Sequence, residues 1–157
     1  MKFKNNFQKR EYLGRQAVRE LKQLHPDKFK YDLEETGDTF SPYDMYYYTE
    51  DKKVLLEVKI RDKDFDTFIL EVKKLEALQK IKSESNEEIV LLYLNFTPTK
   101  TIIWNITNID SSNYKTIIAN KSTERSRNCK VEKKVIYLNP KDGFILNYIL
   151  DENKLLF

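Results

Sequence analysis

Apolar and polar positions along this chain fall into stretches of two different periods. In residues 10–24, "REYLGRQAVRELKQL", the residues Leu13, Ala17, Leu21 and Leu24 return every three to four positions, which is one stripe of an α-helix. The residue before a proline avoids the α region, so His25-Pro26-Asp27 marks the end of that helix. Residues 28–43 are mixed, with a short strand expected near 29–34 and a turn at Thr36-Gly37-Asp38. In "DMYYYTEDKKVLLEVKI" (44–60) two β-rich arms flank a polar turn at Thr49–Lys53, the pattern of a hairpin. Residues 64–82 predict a second helix, capped by Asp64 or Asp66, with Phe65, Phe68, Ile69, Val72 and Leu75 on its buried face. "EEIVLLYLNF" (87–96) is almost continuously apolar, as a strand buried on both faces must be, and it predicts the centre of a sheet. "TIIWNI" (101–106) and "KVIYL" (134–138) predict further strands, and "GFILNYIL" (143–150) is read as a helix. Between them, 107–134 is polar and without period. The expected architecture is a single α/β domain over 1–157, a mixed sheet flanked by helices.

Composition narrows the chemistry. A chain of 157 residues with 40% hydrophobic and 34% charged residues supports one real core. The net charge of +3 permits a polyanionic partner through a local patch without requiring one. One cysteine, Cys129, leaves no internal disulfide and no multi-cysteine zinc site; one histidine, His25, leaves no multi-histidine site. Any metal would be held mainly by oxygen, which suits Mg²⁺ or Mn²⁺. No Gly-rich phosphate loop is present, which argues against an NTPase or kinase. The N-terminal "MKFKNNFQKR" lacks the apolar run of a secretory signal, and no apolar span is long enough for a membrane helix, so a cytoplasmic protein is expected.

The most informative stretch is "KKVLLEVKIRDKDF" (52–65), where an apolar strand carries Glu57 and Lys59. Burying a charge costs several kcal/mol, on the order of a whole domain's margin, unless it is paired or bound. Strand side chains alternate faces, so Val54, Leu56, Val58 and Ile60 share an apolar face while Leu55, Glu57 and Lys59 share the other. With the hairpin turn centred near Glu50–Asp51, Asp44 falls opposite Glu57 or Val58. Two carboxylates that close repel unless a cation lies between them, and a divalent metal is the natural occupant. On the first helix Glu20 falls about 20° from Leu13, inside the apolar stripe, and is a candidate fourth group; Glu11 falls about 160° away. The bare acid-X-Lys tripeptide carries little, because it recurs at Glu50, Asp51, Glu71, Glu132 and Glu152. Its place inside an apolar strand, with an acid across the hairpin, is what singles out Glu57-Val58-Lys59.

With Asp44, then Glu57-Val58-Lys59, and a helical Glu20 before them, the sequence resembles the PD-(D/E)XK nuclease superfamily. The inferred order over residues 10–106 also resembles that family's αβββαβ, restriction-endonuclease-like core, with 107–157 as an extension. One departure is visible: Tyr43 stands where the family has Pro directly before the Asp, and Pro42 lies one position earlier. The resemblance implies Mg²⁺-dependent endonucleolytic hydrolysis of DNA phosphodiester bonds, with Mn²⁺ as substitute. It implies that Asp44, Glu57, the Val58 carbonyl and Glu20 hold the metal, and that Lys59 orients the attacking water or helps deprotonate it. Its small members include resolvase-like and mobile-element nucleases, which often pair to cut two strands, so a homodimer is a possible state.

Lys121, Arg125, Arg127 and Lys130 in the basic segment are candidate phosphate contacts, set against the plain alternative of a solvated charge run. Tyr46, Tyr47 and Tyr48 read as β packing rather than base-stacking. Two rival functions stand beside the nuclease: a nuclease-fold relative without chemistry that binds nucleic acid or a protein partner, and an unrelated α/β interaction protein.

Overall fold

The structure is a computed structural model that describes residues 2–27, 29–36, 41–120 and 129–156. Helix α1 (Asn6–Leu24) begins earlier than its apolar stripe, because the Asn5 side chain accepts the Gln8 N–H at 2.9 Å and caps the first turn. It ends at His25, whose N–H donates to the Leu21 carbonyl at 3.0 Å. Leu13, Ala17 and Leu21 are buried as their spacing predicts; Leu24, in the last turn, is exposed.

Strands β1 (Glu34–Glu35), β2 (Met45–Tyr48) and β3 (Lys52–Ile60) follow, and β2 and β3 form the expected hairpin, with Met45 opposite Leu56. Strand β1 lies at the C-terminal end of the short strand expected near 29–34 and slightly beyond it. Strand β5 (Glu88–Phe96) is central, parallel to β3 and antiparallel to β6 (Thr101–Asn105). The main sheet runs β1-β2-β3-β5-β6-β9, where β9 is Phe144–Leu146. Among the described residues, no helix is long and apolar enough to cross a membrane.

Three segments differ from the sequence reading. The predicted helix over 64–82 is half strand: β4 (Phe68–Glu71) precedes α2 (Val72–Glu84). Phe68 and Leu70 are buried and alternate with half-buried neighbours, and β4 finds a ladder partner in β8 (Lys130–Leu138). Asp64 is not a cap; it accepts the hydroxyls of Thr97 and Thr99 at 2.5 and 2.9 Å. Phe65 is exposed. The aperiodic 107–134 contains β7 (Lys115–Asn120), which pairs with β8, so that β4-β8-β7 make a second, antiparallel sheet. The segment 143–150 is not helical: β9 (Phe144–Leu146) edges the main sheet against β6. Leu146 and Tyr148 are buried while Ile145 and Asn147 are exposed, an alternation of period two rather than 3.6. A short C-terminal helix, α3 (Glu152–Leu156), closes the chain.

Two apolar clusters sandwich the main sheet. Ala17, Val18 and Leu21 of α1 pack against Val54, Leu56 and Leu94 on one face. Leu75 and Leu78 of α2, with Phe68 and Leu70 of β4, pack against Leu55, Leu91 and Tyr93 on the other. Strand β3 therefore divides its two faces as the alternation predicts, and the face carrying Glu57 looks toward α2 and β4. The tyrosines after Asp44 are packing groups: Tyr46 meets Tyr43 and Tyr48 edge-on, and the Lys53 ammonium lies 4.6 Å from the Tyr46 ring centre.

Candidate active site

The site arises where the hairpin runs out. Strand β2 pairs with β3 only as far as Leu56, so residues 57–60 of β3 have an open edge on that side. Asp44 closes it in part. Its N–H donates to the Leu56 carbonyl at 2.8 Å, and its Oδ2 accepts the Val58 N–H at 2.8 Å. A strand residue sends its N–H and C=O to the same edge, so the Val58 carbonyl leaves beside the Asp44 carboxylate. Asp44 thus stands next to Glu57 across the hairpin, as the turn position predicts.

Glu57 is only 2% exposed, and its Oε1 receives two ammonium groups, Lys59 at 2.9 Å and Lys74 of α2 at 3.2 Å. Lys74 also donates to the Pro42 carbonyl at 3.0 Å, tying α2 to the segment before Asp44. Burial, and then the neighbouring Glu57 charge, push the Asp44 carboxyl up to about 6, against the opposing pull of the Val58 N–H and both lysines. Burial alone would push Lys59 down, but Glu57, Tyr93 and Asp44 outweigh it and hold the ammonium above the usual lysine range. The cluster faces a cavity of about 870 Å³ whose walls include the first turns of α1, the open end of β3 and the β4–α2 junction.

Asp44, Glu57, Val58 and Lys59 all line this cavity. Glu20 is not brought to them. Its carboxylate accepts the Tyr148 hydroxyl at 2.6 Å and pairs with Lys154, and these two partners, Lys154 first, hold it below the ordinary carboxylate value. It fastens the C-terminal segment to α1. The acid of α1 that does line the cavity is Glu11, on the side of the helix away from the apolar stripe. Gly14 admits β3 here: a Cβ on it would lie 3.2 Å from Val58 Cγ1. Lys74 and Arg61 also line the cavity without having been singled out in the sequence. The strand alternation through Glu57 and Lys59 continues to Arg61 and so points to it in the sequence; Lys74 carries no such signal. Lys121, Arg125 and Arg127 lie outside the described residues. Lys130 is exposed, opposite Asn120 at the far end of the β7–β8 ladder.

Two carboxylates and a backbone carbonyl form an oxygen donor set that fits a hard divalent cation, which needs few protein ligands because it keeps several waters. Burial raises the Asp44 pKa most, and the share that repulsion from Glu57 adds is what such a cation relieves. Among the described residues, no three acids, histidines or cysteines form a ligand group, so any cation here would rest on this pair and the carbonyl.

No protein-family model matches the chain. No curated protein matches it either. Among solved structures it is similar to Hjc, a Holliday junction resolvase of Archaeoglobus fulgidus, at 12% identity over 83% of this chain and 89% of that one, with a TM-score of 0.49.

Proposed function

We propose that the protein is a Mg²⁺-dependent endonuclease that hydrolyses DNA phosphodiester bonds in this cavity. The observation that carries the reading is the meeting of Asp44 and buried Glu57 at an open strand end, with the Lys59 ammonium on Glu57 Oε1. Asp44, Glu57 and the Val58 carbonyl would hold the metal. A bound Mg²⁺ supplies charge neutralisation at the phosphate and acidifies water. Glu57 orients Lys59, whose ammonium in the metal-free chain is a positive donor suited to a phosphate oxygen or to the attacking water. Asp44 must be ionised to bind a cation, and because a bound cation favours the ionised form, the onset of activity falls at or below about pH 6 and moves down as Mg²⁺ rises. Glu11 lines the same cavity from the α1 wall.

One observation favours a second reading, a binding protein without chemistry: Glu57 already carries two ammonium partners, and Lys74 occupies an oxygen that a metal would use. The deciding experiment is a nuclease assay on branched, duplex and single-stranded DNA with Mg²⁺, Mn²⁺ or chelator, beside Lys59→Ala. Metal-dependent cutting that the variant loses supports the nuclease. Absence of cutting on every substrate, with no Mn²⁺-induced thermal shift, supports the binding protein.

A further inference from the structure

We propose that Arg61 is an anion-binding residue of the cavity, held by Asn95 and Tyr93 so that its charge is available to a phosphate of the substrate. That the anion is a backbone phosphate rests on the nuclease reading; the anion site itself does not.

Arg61 follows the last residue of β3, and its N–H donates to the Phe96 carbonyl at 2.8 Å, so the ladder with β5 continues through it. The strand alternation therefore puts Arg61 on the same face as Glu57 and Lys59. Its guanidinium is fixed by neutral acceptors alone. Nε donates to Asn95 Oδ1 at 2.6 Å, and Nη2 donates to the Tyr93 hydroxyl at 2.7 Å and to the Ile69 carbonyl at 3.2 Å. The Tyr93 hydroxyl in turn donates to Ile69 at 3.1 Å. The other arginines with described surroundings pair with acids: Arg10 with Asp62, and Arg15 and Arg19 with Glu35. Arg61 has no carboxylate partner among the described residues. A half-buried guanidinium without counter-charge is an unfavourable arrangement for the free protein and a favourable one for binding an anion.

Asn95 shows that the arrangement is built. It is fully buried, its Oδ1 accepts the Arg61 Nε–H, and its Nδ2 is sealed beside the Tyr93 hydroxyl without a well-formed hydrogen bond to any described residue. The amide cannot be turned over, because its NH₂ would then face the Arg61 N–H. The fold thus keeps a poorly satisfied amide donor in the core in order to hold an acceptor on Arg61. The second terminal nitrogen, Nη1, donates to no described residue and is not sealed in the core, so it is free to meet a ligand in the cavity.

The test separates anion binding from a merely structural tie between β3 and β4. The full chain is melted in chelator with inorganic phosphate, against chloride at equal ionic strength, as wild type, Arg61→Gln and Asn95→Asp. The last variant keeps the acceptor and adds a carboxylate, so it preserves the tie but neutralises the arginine. Phosphate should raise the melting temperature of wild type and fail to raise that of either variant. In the same chelator buffer, a labelled DNA should bind roughly tenfold more weakly to both variants, with a salt dependence shallower by about one phosphate contact. If Arg61→Gln does not fold, Asn95→Asp carries the comparison. Equal phosphate shifts in wild type and Asn95→Asp would overturn the proposal and leave Arg61 a structural residue. No phosphate shift in wild type overturns it as well, even if the protein cuts DNA. A phosphate shift lost in the variants, in a protein that cuts no DNA, supports the anion site and sinks the nuclease reading instead.

Discussion

Replacing Asp44 by Asn should make the metal-free protein more stable at neutral pH, although it removes a residue at the centre of the site. Burial, and then Glu57, push the Asp44 carboxyl up to about 6 in the folded protein, against an ordinary 3.8. The folded state therefore binds this proton more tightly than the unfolded state, and stability falls as pH rises from about 4 to about 6. That displacement corresponds to at most about 3 kcal/mol of penalty above pH 6, fully present at pH 8, reduced to about 0.5 kcal/mol at pH 4 and lost below about pH 3. Asn keeps an oxygen to accept the Val58 N–H and removes the repulsion from Glu57, so Asp44→Asn should gain about 1–3 kcal/mol at pH 8. The assay is urea unfolding in chelator at pH 8 and pH 4. The variant should exceed wild type at pH 8 and come within about 0.5 kcal/mol of it at pH 4. Added Mg²⁺ should stabilise wild type at pH 8, by about 2.7 kcal/mol at a hundredfold excess over its dissociation constant, and leave the variant unmoved. A variant less stable than wild type at pH 8, or a gain undiminished at pH 4, would refute the argument that Asp44 is strained by burial beside Glu57.

Removing Lys74, the second cation on Glu57, by Lys74→Ala should lower the Mn²⁺ concentration needed for half-maximal thermal stabilisation, because a competitor for the Glu57 oxygen is gone; an unchanged or higher midpoint would count against metal binding at Glu57. Glu20→Gln should leave DNA cutting and the metal response unchanged while costing about 1 kcal/mol of stability through the weakened Tyr148 and Lys154 contacts, as read by urea unfolding; loss of metal response would return Glu20 to the site. Gly143→Ala should destabilise by about 1–3 kcal/mol, because a Cβ there would lie 2.7 Å from Ile102 Cγ2 and 3.2 Å from the Ile103 carbonyl at the approach to β9; a neutral melting temperature would mean that this edge yields freely.

What the sequence by itself determined is what nearest neighbours along the chain decide. The hairpin turn, the two faces of β3 and the apolar centre of the sheet follow from periodicity, and with them the approach of Asp44 to Glu57-Val58-Lys59, because an antiparallel register is set by its turn. The αβββαβ order over residues 10–106 is legible in the same way, with β4 as an unforeseen addition. What only the tertiary structure decided depends on partners distant in sequence. Residues 68–71 have enough apolar character for either state, and they are a strand because β8, more than sixty residues later, offers a ladder. Residues 143–150 run extended because β6 has a free edge and Thr101 reaches the Tyr148 carbonyl at 2.9 Å. On α1 both acids fit a helix equally well; the C-terminal Tyr148 and Lys154 claim Glu20, while the cavity lies along the side that carries Glu11. Lys74 and the Arg61 support likewise required folding, since α2 and β5 bring them to β3 from separate parts of the chain. Local pattern selects an element and its buried face; which of several chemically equivalent side chains meets the site depends on long-range packing, which no window of sequence contains.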